Sequence, residues 1–283
     1  MKQIPRPAKS VSYILNILKS ETRRQNVVLD IESVVEILTE REDLYAVKVA
    51  DNSLFEIPRE QNISGRVNKN KMVSYYEYRI LEKPGGRAYY DEVILSAPHG
   101  ICPYCTIKTV KTVDHFLPKS EYPSYSITPL NLVPSCRDCN TDKKISFPTT
   151  SENQTFHPYF DIVDNESWIR AELRHTEPLS FQFHVFRTAG WSELKFNRAI
   201  SHFNEYNINQ LFSNEADREL RGMQNRLKVL YSKNRDLLKL HVEETYDSCL
   251  NGLGPLDWKT LMYQELAINE WFLDGCLGVN FFN

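Results

Sequence analysis

A chain of 283 residues, 41% apolar and 25% charged, is long and apolar enough for a buried core, which excludes a disordered or fibrous polymer. Its formal charge of -3, from 34 Lys and Arg against 37 Asp and Glu, excludes a nucleic-acid binder that works through a global basic field. No apolar run approaches the ~18 residues of a membrane span, and MKQIPRPAKS leads into an amphipathic segment rather than a signal-peptide core, so a cytoplasmic location without membrane contact is expected.

Taken in order, the N-terminal third reads as helical. SYILNILKS is apolar-periodic, and Val28, Ile31, Val34, Val35 and Leu38 recur at helical spacing in a helix expected over 28–50. Residues 52–70, with Pro58 and Gly65, read as a loop. KMVSYYEYRILEK reads as a helix stopped by Pro84-Gly85-Gly86, and RAYYDEVILSAP as a helix or extended approach to the first cysteine. Tyr75, Tyr76, Tyr78, Tyr89 and Tyr90 fit core packing better than a base-stacking surface.

The stretch from Cys102 to Lys144 follows: CPYCTIKTVKTVDHFLPKSEYPSYSITPLNLVPSCRDCNTDKK. Two CxxC pairs, Cys102/Cys105 and Cys136/Cys139, offer four thiolates to one tetrahedral structural zinc, and in a reducing cytosol such pairs bind metal more often than they form disulfides. The intervening residues suffice for a hairpin: a strand over 106–114, a loop broken by Pro118 and Pro123, and a second strand over 126–133. A helix over 136–144 then carries the second pair, with Ser135 as its expected N-cap. Beyond it, FHPYFD forms an aromatic turn in which His157 is read as a packing or edge-of-site residue. LSFQFHVFR alternates as a strand, and helices are expected over 192–211, 215–249 and 256–273. Cys249 and Cys276 read as free buried thiols. The expected fold is α+β and mostly helical: a zinc-bound treble-clef ββα module at 99–160, a helical lobe at 1–98 and a mainly helical region at 161–283.

Within the module, His115 is the candidate general base, since neutral imidazole has the ordinary pKa suited to activating water. Asp114 supplies a hard carboxylate ligand, and Asn140 a neutral amide oxygen, for a second, catalytic cation of the Mg²⁺ or Mn²⁺ kind. Asn131 on the second strand locks the backbone of the first. Lys119, Arg137, Lys143 and Lys144 are candidates for neighbouring phosphates. Residues 101–150 hold six Lys and Arg against four Asp and Glu, a window of about +2 that leaves about -5 for the rest.

This pattern, DH…N…N between two CxxC pairs, resembles the HNH endonuclease superfamily in its zinc-stabilised form. The resemblance implies Asp114 and Asn140 as metal ligands, His115 as general base and Asn131 as the structural asparagine. It also implies single-metal hydrolysis of DNA leaving 5′-phosphate and 3′-hydroxyl ends. The last motif position, often His in the family, is Asn140 here. Small HNH proteins of this look accompany an ATPase in prokaryotic antiphage defence systems, the Septu-like ones among them, so an ATPase partner is expected by analogy. The flanking helical lobes are expected to recognise substrate, to dimerise or to dock that partner. The alternative from another class is a non-catalytic zinc-scaffolded adaptor for nucleic acid or protein.

Overall fold

The computed structural model describes residues 1–276 and 279–282. The chain forms two compact units, Met1–Ile162 and Val163–Asn283. The first is built from helices α1 (Val11–Ser20), α2 (Gln25–Glu32), α3 (Val35–Ala50), α4 (Lys69–Ser74) and α5 (Pro84–Leu95), then strands β1 (Thr112–His115) and β2 (Leu132–Ser135) and helix α6 (Arg137–Lys143). It is therefore α+β and mostly helical, with a small ββα module at its end.

α1 begins where the Ser10 hydroxyl accepts from the Tyr13 N–H, and its buried Val11, Ile14, Leu15 and Leu18 repeat at i, i+3, i+4 and i+7. The helix expected over 28–50 is two helices broken at Ser33-Val34. Ser33 Oγ donates to the Asp30 carbonyl at 2.8 Å, which an unbroken helix would give to the Val34 N–H, and Val34 N–H turns to Ile31 instead. Pro84 opens a helix where a stop was expected, because its missing N–H is spare at the first helical position. Gly86 lets α5 close on the preceding segment: a Cβ there would stand 2.0 Å from the Arg79 carbonyl. Between α4 and α5, Tyr75–Ile80 winds as a wider π-helical turn.

The cores of the helices and of the module are continuous. Val11, Ile14, Leu38, Tyr75, Tyr76 and Val93 share one buried cluster with Val113, Ile127 and Leu132 of the module. Of the five tyrosines, Tyr75, Tyr76 and Tyr89 are buried and Tyr78 is exposed.

β1 and β2 pair antiparallel, Asp114 opposite Val133 and His115 opposite Leu132. Both strands are shorter than expected. Ahead of β1, Thr106 takes a positive φ and the Cys102 N–H bonds the Lys108 carbonyl, so the first CxxC turn uses backbone groups a longer strand would need. Ahead of β2, Pro123 and Pro129 open short 3₁₀ turns in place of strand. The N-cap of α6 is Cys136, not Ser135: Cys136 Sγ accepts from the Cys139 N–H at 3.4 Å, while the Ser135 hydroxyl donates to the Cys136 carbonyl.

The second unit contains a hairpin, β3 (Ile169–Arg174) with β4 (Ser180–Val185), and helices α7 (Glu193–Glu205), α8 (Ile208–Lys233), α9 (Arg235–Leu253), α10 (Trp258–Ile268) and α11 (Glu270–Leu273). Phe181 and Phe183 bury one face of β4, and α8 packs along that strand. The helices are shorter than the apolar pattern suggests. Asn207 takes a left-handed conformation between α7 and α8, and the Asn234 and Asn269 side chains cap α9 and α11. Cys249 and Cys276 are buried and free. No described helix is long and apolar enough to cross a membrane.

Candidate metal centre and active site

Two local turns bring the four cysteine sulfurs together. The first is the 102–105 knuckle; the second is the start of α6, where the cap geometry aims Cys136 and Cys139 at one point. All four sulfurs lie within 4.8 Å of one another and are buried. Tetrahedral Zn–S bonds of ~2.3 Å put sulfurs about 3.8 Å apart, and Cys105 Sγ and Cys136 Sγ stand 4.0 Å apart. Hydrogen bonds from Cys102, Cys136 and Cys139 hold Cys105 far below the ordinary thiol value, while Cys139 is pushed far up by its bonds to Cys102 and Cys105. Four buried sulfurs at this spacing fit a structural zinc.

Beside this centre, a recess of about 430 Å³ is lined by Asp114, His115, Asn140, Lys119 and Lys144, among others. Asp114 is only 2% exposed. Tyr104, between the first two cysteines, donates its hydroxyl to Asp114 Oδ2 at 3.0 Å, tying the knuckle to the carboxylate. His115 Nε2 lies 2.9 Å from the Ser126 carbonyl. A carbonyl only accepts, so Nε2 carries the ring hydrogen and Nδ1 keeps the lone pair. Burial, with Lys119 and Lys143 nearby adding to it, pushes the His115 pKa down to about 3. The ring is neutral at physiological pH, the form a base needs, and at this pKa it is a weaker proton acceptor than the ordinary imidazole expected from the sequence. Tyr76 stands edge-on to this ring, centroids 4.3 Å apart.

Asn131 is fully buried and uses both ends of its amide. Oδ1 accepts from the Leu117 N–H at 2.7 Å, and Nδ2 donates to the Leu117 and Tyr125 carbonyls. It therefore fixes the chain immediately after His115. Tyr45, on α3, approaches the same oxygen at 3.0 Å and His157 Nε2 at 3.1 Å. His157 Nδ1 accepts from the Tyr159 N–H at 3.2 Å, so Nε2–H donates to Tyr45, and Tyr45 donates to Asn131. Asn140 Nδ2 reaches Thr112 Oγ1 at 3.5 Å, which orients its amide in the recess.

The four basic residues separate. Lys119 lines the recess, paired with Glu77 at 2.9 Å, and Lys144 lines it exposed. Arg137 is exposed on α6 outside the residues that line the recess. Lys143 turns inward at 4% exposure: its ammonium sits 3.2 Å from Asp114 Oδ2 and donates to the His115 carbonyl at 2.6 Å. It neutralises the buried carboxylate and does not face solvent. Sequence reasoning passed over Tyr104, Tyr45 and this role of Lys143. The one available signal was a tyrosine on the apolar stripe of α3, since a buried tyrosine hydroxyl seeks a partner.

Residues 102–145 match the model of the HNH endonuclease family. Protein ea31 of Escherichia phage lambda is 31% identical over 297 aligned residues, covering 97% of this chain and 100% of that protein. Septu protein PtuB of Bacillus thuringiensis is 35% identical over 63 residues, covering 20% of this chain and 24% of that protein. No solved structure matches the chain.

Proposed function

The chain belongs to the family of phage lambda protein ea31 and carries an HNH endonuclease domain at residues 102–145, and from that premise we propose that it is a metal-dependent endonuclease hydrolysing DNA phosphodiester bonds. The observation that carries the reading is the His115 ring, its Nε2 spent on the Ser126 carbonyl, sharing one recess with Asp114 and Asn140. His115 Nδ1 takes a proton from water as the water attacks phosphorus. Asp114 and Asn140 would offer the carboxylate and amide oxygens that hold a divalent ion, Mg²⁺ or Mn²⁺, and the Lys143 ammonium, which lies 3.3 Å from Asp114 Oδ1 and 3.2 Å from Oδ2, would be displaced by it. When bound, that ion supplies positive charge to the scissile phosphate and the leaving oxygen. Asn131 and Tyr104 keep the base and the carboxylate in register, and Lys119 and Lys144 offer positive charge to the neighbouring phosphates. The products would be 5′-phosphate and 3′-hydroxyl ends.

The similarity over 63 residues to PtuB, a Septu protein, supports a place in prokaryotic antiphage defence beside an ATPase partner. The full-length likeness is to a phage protein, so the defence assignment rests on that short similarity alone. The slightly acidic chain, which has little field of its own to draw DNA in, fits delivery by a partner in the cytoplasm. Plasmid cleavage by wild type and His115→Ala, matched for zinc content and melting temperature, tests the activity with Mg²⁺, with Mn²⁺ and with EDTA. Metal-dependent nicking that falls at least about 100-fold in the variant is the expected result. Equal cleavage by both overturns His115 as base, and cleavage by neither favours the zinc-scaffolded adaptor. A tagged chain that keeps an ATPase through gel filtration supports the partner, and a chain that runs alone overturns it.

A further inference from the structure

Part of the recess lining has no part in phosphate chemistry. Together with Asp114, His115 and Asn140 it includes Tyr76, Leu81 and Tyr90, from the π-helical turn, the residue after it and α5, and the Tyr76 ring lies edge-on to that of His115. None of Tyr76, Leu81 and Tyr90 belongs to the HNH endonuclease domain at 102–145. The volume, about 430 Å³, lies in the range of small-ligand sites, ~300–1,000 Å³.

Resting on the nuclease reading, we propose that this recess receives one unpaired nucleotide. Its phosphate lies against the Asp114 side and its base against Tyr76, Leu81 and Tyr90, so the chain acts on a DNA strand out of its duplex. The first argument is depth. Asp114 is 2% exposed, so a phosphate that shares a cation with it must enter the recess that Tyr76, Leu81 and Tyr90 also line. A duplex phosphate is flanked by a sugar whose base is held in the stack and cannot follow it into the recess. An unpaired nucleotide brings its base in beside it, as in enzymes that take a nucleotide out of the stack. The second argument is chemistry. Aromatic rings in one recess with a cluster of polar oxygens and cations match the two halves of a nucleotide, and rings accept any base by stacking. Cations already sit by these rings: Lys119 Nζ is 5.0 Å from the Tyr76 centroid and the Arg87 guanidinium 4.8 Å from that of Tyr90. The third is charge. A window of about +2 is too small to clamp the many phosphates of a duplex, while one nucleotide needs few contacts.

The test uses the full chain carrying His115→Ala, with Ca²⁺, and 12-mer oligonucleotides containing one 2-aminopurine. The arms are single-stranded DNA, single-stranded RNA, perfect duplex, and duplex with one bulged nucleotide. The proposal expects the single strands and the bulge to bind at least about tenfold tighter than the perfect duplex, with quenching of the 2-aminopurine by stacking. Tyr90→Ala added to this background should abolish the quench and weaken single-strand binding about tenfold, with zinc content and duplex binding unchanged. Quenching by either single strand supports the recess, and the ratio of the two names the sugar. Duplex binding as tight as single-strand binding, no binding in any arm, or a Tyr90→Ala protein that quenches as before overturns it. The two readings fail separately: cleavage of duplex and single strand at equal kcat/KM by wild type and Tyr90→Ala sinks the recess and leaves the nuclease standing. Quenched binding by a chain that cleaves nothing does the reverse.

Discussion

His115 is held at one nitrogen and offered at the other, and that arrangement has a measurable cost. Its folded pKa, about 3, lies below the 6.5 of an unfolded histidine. Below pH 6.5 the unfolded chain takes up a proton that the folded ring refuses. The stability contribution is therefore whole above pH 6.5 and is lost as pH falls from 6.5 towards 3. Urea midpoints taken between pH 7 and pH 5 should fall with acidity, and His115→Gln should flatten that slope. A second prediction concerns Tyr45. Tyr45→Phe leaves the buried His157 Nε2–H without its acceptor and Asn131 Oδ1 without one donor, a loss of about 1–3 kcal/mol by urea unfolding. The Tyr89 hydroxyl is buried with no hydrogen-bond partner among the described residues, so Tyr89→Phe serves as the control and should be neutral or stabilising. Equal losses in the two variants would mean that the Tyr45 hydrogen bonds contribute nothing specific.

At the scale of elements, the ββα module depends on its cysteine centre more than on its sheet. β1 and β2 are four residues each, too short for an independent hairpin. The knuckle before β1 and the cap of α6 bring the four sulfurs within 4.8 Å of one another, where a zinc would join them. Cys139→Ser should therefore release zinc and unfold the module, while His115→Ala should keep both. Zinc by elemental analysis alongside the thermal melt checks this, and a folded, zinc-free Cys139→Ser protein would contradict it. Helix existence was legible in the chain, and helix boundaries were less so. Ser33, Asn207, Asn234 and Asn269 sit where apolar periodicity continues, and each breaks a helix by a side-chain hydrogen bond or a left-handed turn. Periodicity reports which face is buried, not whether the backbone is continuous, so these breaks pass beneath it. WIRAELRH illustrates the same limit: its residues 169–174 form β3, and their alternation is settled by pairing with β4.

For the molecule as a whole, the helices of the N-terminal third and the module share one core, with Val113, Ile127 and Leu132 buried among residues of α1, α3 and α5. Met1–Ile162 expressed alone should then melt cooperatively and hold one zinc per chain, whereas 99–162 alone should not, since it would expose that core. Circular dichroism melts of the two fragments with zinc analysis decide it. A stable 99–162 fragment would show that the module needs no help from the helices.

The zinc set and the candidate reacting groups Asp114, His115, Asn131 and Asn140 were legible in the sequence by itself. A CxxC turn and a DH pair are local features, and their chemistry follows from residue type and short spacing. Tertiary structure alone decided what surrounds them. Lys143 turns onto Asp114 from 29 positions away, and Tyr45 reaches Asn131 across 86. Tyr76 and Tyr90 line the recess from beyond the domain. Contacts of that range depend on how separate helices pack, and side-chain periodicity carries no record of which buried face meets which.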